Sequence, residues 1–329
     1  MTPTLYLVIP CYNEEKVLPI TYSLFLEEVE KLIDEGLIHD NSRILFADDG
    51  SKDATWEIIS NLSDENERIL GISLSRNRGH QNALLAGLME AMPFCDITVS
   101  MDCDGQDDIH VLGDMVRAYN SGSEIVYGVR SSRKKDTFFK RFTAEGFYRI
   151  MNKMGCNLIF NHADYRLVSS KVLQEFSNFK EVNLFLRGMF PMVGFNSSIV
   201  YYERDERKAG QSHYPLAKMI SFAIDGITSL TTFPIRIITF IGIIVSMFSF
   251  IGIIWALVTH AMGNTVDGWA SIICIVLLMS GIQLLSLGVI GEYVGKTYME
   301  TKARPRYIVK SHVGFPLVGK KSFSHKKGA

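Results

Sequence analysis

Asp96-Ile97-Thr98-Val99-Ser100-Met101-Asp102-Cys103-Asp104-Gly105-Gln106 decides the architecture of this 329-residue chain. Its first half is apolar and β-prone with no charge after Asp96, which predicts a buried strand that stops where the acids begin. Open α/β sheets bind ligands outside the carboxyl ends of their strands. Two carboxylates one residue apart in that position do not both stay ionised cheaply without a cation between them. Hard oxygen donors in an open site suit Mg²⁺ or Mn²⁺ shared with substrate phosphates. An acidic turn is the plain alternative for an isolated Asp-x-Asp, and the rest of the chain decides between the two.

Toward the N-terminus the same pattern repeats. Residues 4–10 read as a strand ended by Pro10, and residues 14–35 carry Val17, Leu18, Phe25, Val29 and Leu32 at helical spacing. Ile44-Leu45-Phe46-Ala47 is a second buried strand, stopped by Asp48-Asp49-Gly50-Ser51. A helix from Thr55 to Leu62, a strand over 69–74 and a helix from Asn82 to Met92 follow. Strand and helix alternating at short spacing predict an α/β fold with a doubly wound, mostly parallel sheet. Every polar motif falls just after a strand.

The net charge of −1 excludes a global basic field for nucleic acid. The five cysteines (Cys11, Cys95, Cys103, Cys156, Cys274) show no Cys-x-x-Cys spacing, which argues against zinc or disulfides and fits a reducing compartment. No basic leader or cleavage site precedes the first strand, so no signal peptide is expected. Ile237–Val258 and Trp269–Gly291 contain no charged residue. Each exceeds the ~20 residues that cross a bilayer core. The link between them lacks Lys and Arg, whereas Arg236 precedes the first run and Lys296, Lys302, Arg304, Arg306 and Lys310 follow the second. Positive residues mark the cytosolic side. The expected organisation is a cytosolic catalytic domain over 1–212, an interfacial amphipathic helix over 213–233 and a transmembrane hairpin over 234–295. The spans of that hairpin lie at about 235–260 and 269–292. A basic tail over 296–329, loose beyond Val309, completes it, with both termini cytosolic and the chain multi-pass in the plasma membrane.

Four motifs occur in the order and spacing of family 2 glycosyltransferases of the GT-A fold, which the chain resembles. They are Val8-Ile9-Pro10-Cys11-Tyr12-Asn13-Glu14-Glu15, Asp48-Asp49-Gly50-Ser51, Ser75-Arg76-Asn77-Arg78-Gly79 and Asp102-Cys103-Asp104-Gly105-Gln106. Ala163-Asp164-Tyr165-Arg166-Leu167 and Arg204-Asp205-Glu206-Arg207-Lys208-Ala209-Gly210-Gln211-Ser212-His213-Tyr214 are similar to the polyprenyl-phosphate sugar transferases. The hairpin, with Gly291-Glu292-Tyr293-Val294-Gly295-Lys296 and Lys302-Ala303-Arg304-Pro305, looks most like their bactoprenol branch, and the resemblance spans roughly residues 3–310.

That resemblance implies roles. Pro10, Tyr12, Asn13 and Glu14 line the nucleotide pocket, and Asp49 accepts a hydrogen bond from the base. Asp102, Asp104 and Gln106 hold Mg²⁺ or Mn²⁺ on the donor diphosphate. Arg130 and Arg141 meet the acceptor phosphate, while Arg204, Arg207 and His213 reach the donor from a closing loop. Asp164 is the family's candidate base. A lipid phosphate, with a second pKa near ~6, is already mostly ionised at neutral pH, so Asp164 is expected to orient acceptor, metal or an arginine instead. The sequence departs from the pattern at Gly105 and Asp108, where relatives usually carry Leu and Pro, and at Tyr165 for Phe. His80 and His213 replace frequent lysines.

The implied reaction inverts the anomeric carbon of a nucleotide-sugar, UDP-glucose or alternatively UDP-N-acetylglucosamine, and loads undecaprenyl phosphate for cell-envelope glycan modification. Implied partners are a homo-oligomer, a flippase and a downstream glycosyltransferase. A processive polysaccharide synthase would carry Gln-x-x-Arg-Trp and more spans. A non-catalytic scaffold that binds nucleotide-sugar or lipid for a flippase is the alternative of another class.

Overall fold

The computed structural model describes residues 2–131, 159, 162–203, 227–229, 231–262 and 269–315. Its centre is an eight-stranded sheet: β1 (Leu5–Cys11), β2 (Arg43–Asp48), β3 (Ile69–Leu74), β4 (Ile97–Ser100), β5 (Ile125–Arg130), β6 (His162–Ser169), β7 (Ser197–Tyr202) and β8 (Val309–Val313). The spatial order is β7-β5-β6-β4-β1-β2-β3-β8. β1 to β4 pair in parallel, as does β5 with β7. β6 runs antiparallel to both β4 and β5, and β8 antiparallel to β3.

Side chains alternate across the strands, so the sheet buries both faces. Leu5, Leu7 and Ile9 of β1 face one apolar layer with α1 (Leu18–Asp34), α2 (Thr55–Glu65) and α4 (Leu112–Asn120), through Phe25, Leu32, Ile59 and Met115. Tyr6 and Val8 face the other, with α3 (His80–Ala91), α5 (Ser170–Phe176) and α6 (Leu186–Met192). Fully burying a Leu or Phe side chain stabilises by roughly 1.5–3 kcal/mol, and each layer holds many.

α1 begins four residues later than the apolar spacing predicts. Glu14 is held in a turn: its N–H donates to Thr55 Oγ1 and its carbonyl accepts from Val17 and Leu18. Pro19, which lacks an N–H, fits only the first turn of the helix.

The expected loose tail beyond Val309 is corrected by β8. Val309, Ser311 and Val313 point inward while Lys310 and His312 stay outside, a two-residue period. Gly314 follows at φ +75, and a Cβ there would come within 2.6 Å of Ile69 O and overlap Ser63 Oγ.

Two long helices precede β8: α7 (Phe233–Ala261) and α8 (Trp269–Thr301). Within α8, Leu278–Thr301 is long and apolar enough to cross a membrane, 24 residues at mean hydropathy 1.3. Phe233–Val245 is apolar but shorter. α8 also runs past the expected end near 292. Glu292 and Lys296 pair at one turn's spacing, and Thr297 and Thr301 donate to the carbonyls of Tyr293 and Thr297. Ala303 at φ +47 and Pro305 then end it. Most of the proposed interfacial helix, 213–226, lies outside the described residues.

Candidate active site

Strand register builds the site. β4 and β6 pair with Ser100 opposite Arg166 and Val99 opposite Leu167, so the antiparallel register carries Asp164 to the level of Asp102. Ser100 Oγ donates to the Asp164 carbonyl and fixes that end of β6. β2 and β3 pair Asp48 with Ser73, whose hydroxyl donates to Asp48 Oδ2 at 2.7 Å.

The first two loops are knitted together. Asn13, in the left-handed region at φ +55, donates its N–H to Ser51 Oγ and accepts the Lys52 N–H on Oδ1 at 2.9 Å. Pro10 is buried at the end of β1, while Tyr12 stays 40% exposed beside the cleft. Asp48 caps its turn by accepting from Ser51 N. Asp49 is buried, and its two oxygens accept from Arg78 N (2.7 Å) and Gly79 N (2.8 Å). Burial raises its pKa against the pull of those two bonds.

Asp102 and Asp104 follow β4 in a turn that Gly105 makes at φ +62. Asp104 Oδ1 accepts from Gln106 N at 3.1 Å. Two carboxylates and a neutral amide fit a cation that takes its remaining ligands from a diphosphate and water. Among the described residues no three of His, Cys, Asp and Glu converge to hold a metal unaided.

His80, at the start of α3, lies between Asp102 Oδ1 (3.7 Å) and Asp164 Oδ2 (3.6 Å). Asp164 is gripped on its other side. Arg187 approaches it as a fork, Nε to Oδ1 at 3.2 Å and Nη2 to Oδ2 at 2.9 Å, and Arg166 Nη2 reaches Oδ1 at 2.9 Å. Burial, the largest single influence, pushes the Asp164 pKa up, but Arg187, His80 and Arg166 together hold it well below the usual carboxylate range. A carboxyl so held is a poor proton acceptor. Arg166 is fully buried, its guanidinium 4.5 Å over the Phe190 ring.

Arg130 ends β5 and is held from behind. Its Nε donates to Tyr202 Oη at 3.3 Å, and that hydroxyl donates to buried Asp107 at 2.6 Å. Arg141, Arg204, Arg207 and His213 lie outside the described residues.

Sequence reasoning assigned no part to Arg187, Arg166, Asp107 or Tyr202. Arg166 was detectable: two residues from Asp164 on a strand, it shares that face. Arg187 stands alone as a cation in the apolar run Leu184–Val193, a signal passed over.

The sequence profile described as Glycosyl transferase family 2 matches residues 6–177. YkoT, an uncharacterized glycosyltransferase of Bacillus subtilis (strain 168), is 50% identical over 93% of this chain and 91% of its own length. The bactoprenol glucosyl transferase of Shigella phage SfX is 39% identical, over 93% of this chain and 97% of its own. Among solved structures, mannosyl-3-phosphoglycerate synthase from Rubrobacter xylanophilus superposes with TM-score 0.47 at 15% identity, over 68% of this chain and 71% of that one.

Proposed function

Because this chain belongs to glycosyl transferase family 2, we propose that it moves a sugar from a nucleotide-sugar to a polyprenyl phosphate at a membrane surface. The observation that supports the reading is that the β4–β6 register brings Asp164 level with Asp102, His80 lies between the two, and Arg187 forks onto Asp164. Near-full-length similarity to a bactoprenol glucosyl transferase supports the lipid acceptor and makes UDP-glucose the leading donor, with UDP-N-acetylglucosamine next.

Pro10, Tyr12, Asn13, Glu14 and Asp49 form the nucleotide side, with Asp49 accepting from the base. Asp102, Asp104 and Gln106 hold Mg²⁺ or Mn²⁺, which when bound supplies Lewis-acid stabilisation of the leaving diphosphate. Arg204, Arg207 and His213 belong to the donor side, and Arg130 and Arg141 receive the acceptor phosphate. A phosphate oxygen attacks the anomeric carbon, and the carbon–oxygen bond to the nucleoside diphosphate breaks with its electron pair leaving on the diphosphate. An α-linked donor gives a β-linked lipid phosphosugar. The acceptor is already ionised, so no proton need move. Asp164 therefore serves by holding Arg187.

The catalytic domain occupies 1–212, followed by an interfacial helix over 213–233, two membrane spans within 234–295 and a cytosolic segment beyond. Arg236 and Lys296, flanking the two apolar stretches, support a cytosolic position for both termini. Self-association, a flippase and a later glycosyltransferase complete the proposed setting.

The test uses detergent-purified full-length protein with Mn²⁺, undecaprenyl phosphate and a panel of UDP- and GDP-sugars, with the lipid product followed by mass. One sugar on the lipid, lost with EDTA and in Asp104→Ala, is the expected result. Nucleotide binding without product from any donor would overturn it.

A further inference from the structure

The segment leading into α7 and the end of α8 meet the catalytic domain around a cavity of about 760 Å³. Among the described residues its walls come from three stretches: the loop after α5 through Phe179, Lys180 and Asn183, the pair Thr228 and Ser229 ahead of α7, and α8 from Tyr293 onward. That volume is in the range of sites that hold small ligands. Neither Asp102 nor Asp164 lines it, so it is separate from the cleft described above.

The lining is built to hold cations in place. Lys296 keeps only 14% of its side chain exposed, and its Nζ donates to Thr228 Oγ1 at 2.6 Å and to Ser229 Oγ at 3.3 Å. Lys180 stands exposed on the loop wall, and Arg306 borders that wall by donating to the Phe179 carbonyl. Glu181 and Glu300 also line the cavity, but the Glu300 oxygens already accept from Val182 and Asn183. From Glu292 to Lys310, Lys296, Lys302, Arg304, Arg306 and Lys310 outnumber Glu292 and Glu300, so the rim is net positive. Phe179 and Tyr293 add aromatic rings, and the Tyr293 hydroxyl donates to the Thr231 carbonyl at 2.6 Å. Aromatic rings and fixed cations at the end of an apolar helix match the chemistry of a lipid head-group layer.

We propose that this cavity seats the phosphate head group of a bilayer lipid, at a site distinct from the catalytic cleft. Lys180 and Lys296 supply the charge, and Ser229, whose oxygen accepts from Lys296, turns its hydroxyl proton to the phosphate. The loop wall leads on to the catalytic residues. Asn183 lies three residues before Leu186, which donates its N–H to Gln81 beside His80, and Arg187 follows at once with its fork on Asp164. A lipid seated against the loop therefore steadies the segment that delivers Arg187. Phospholipid and polyprenyl phosphate share the phosphate chemistry, and binding measurements separate them. The inference rests on the membrane placement of α8 in the reading above.

Native mass spectrometry of the purified full-length protein tests this, with phosphatidylglycerol, undecaprenyl phosphate or diacylglycerol titrated in detergent. A phosphate lipid is expected to bind about tenfold or more tightly than diacylglycerol. Lys180→Gln/Lys296→Gln is expected to weaken that binding about tenfold. Asn178→Trp, which crowds the rim and removes no charge, is expected to weaken it as well. Lys310→Gln, on β8 outside the cavity lining, should leave it unchanged. Nucleotide Kd within about twofold of wild type shows that each variant is folded. A loss confined to phosphatidylglycerol assigns the seat to bulk phospholipid, and a loss confined to undecaprenyl phosphate assigns it to the acceptor lipid; either upholds the site. Diacylglycerol held as tightly as the phosphate lipids would overturn it, as would unchanged affinity in both cavity variants. Equal weakening by Lys310→Gln would overturn it too, in favour of diffuse charge attraction. Absent sugar transfer would defeat the functional reading and leave the lipid count standing, whereas a chain that stays soluble without detergent would defeat the membrane placement and this site together.

Discussion

Burial, reinforced by the positive charges of Arg166 and Arg187, pushes the His162 imidazole down to about 3, so the folded chain holds it neutral. Its Nδ1 donates to the Ile159 carbonyl at 2.9 Å, which leaves Nε2 as the unprotonated nitrogen. The unfolded chain binds a proton on this group below about pH 6.5, so stability falls as pH drops from there toward 3. The full effect is on the order of 5 kcal/mol. His162→Gln is expected to flatten the acid side of a urea-midpoint-versus-pH curve; an unchanged slope would remove His162 as its origin. Gly50 makes a second local prediction. At φ +65, a Cβ there would lie 2.7 Å from Arg76 C and 2.9 Å from Asn77 N, backbone atoms that cannot rotate away. Gly50→Ala is expected to cost about 1–3 kcal/mol in denaturant titration. It should also weaken nucleotide binding, because the displaced segment carries the Arg78 and Gly79 N–H groups that fix Asp49. Titration calorimetry checks the second effect. The acids of this site were legible because they end strands. Arg187 was not, because only the tertiary fold brings it onto Asp164.

At the level of strands and helices, local period and breaker residues located β1 to β4 and their helices to within a few residues. The placement of β6 between β4 and β5 was hidden, since nothing local to residues 162–169 says which strand they join or in which direction. That pairing is what brings Asp164 level with Asp102. β8 shows the opposite failure. Its two-residue alternation is present in the sequence, but the Lys, Ser and Gly around it mask the strand signal. Gly314→Val is expected to release β8, because a β-branched residue at positive φ would also overlap Ser63 and Ile69. Hydrogen exchange should then quicken at the β3 amides that face β8, along Gly71 to Leu74. Unaltered protection would mean that β8 contributes nothing to that edge.

At the scale of the whole molecule, a carboxylate ties the end of the long apolar helix to the catalytic domain. Glu300, in the last turn of α8, accepts from Val182 N, Asn183 N and Asn183 Nδ2 at 2.8–2.9 Å. These bonds fix the catalytic domain's loop after α5 to the end of the apolar helix, and so set how the cleft stands relative to any bilayer that helix enters. Glu300→Ala is expected to lower transfer to lipid about tenfold while nucleotide Kd stays within about twofold. Parallel turnover and binding assays check it, and equal losses in both would mean a folding defect instead. The long apolar stretches were plain from composition; the clamp was not, because its donors lie more than a hundred residues away. β8 also bears on how the protein is made. The ribosome releases β1 to β7 first and β8 only after both long helices have emerged. Until then the hydrogen-bonding edge of β3 has no strand to cover it. A nascent chain whose apolar helices have gone astray therefore keeps an incomplete sheet. Synthesis order thereby ties completion of the sheet to prior emergence of the two long helices.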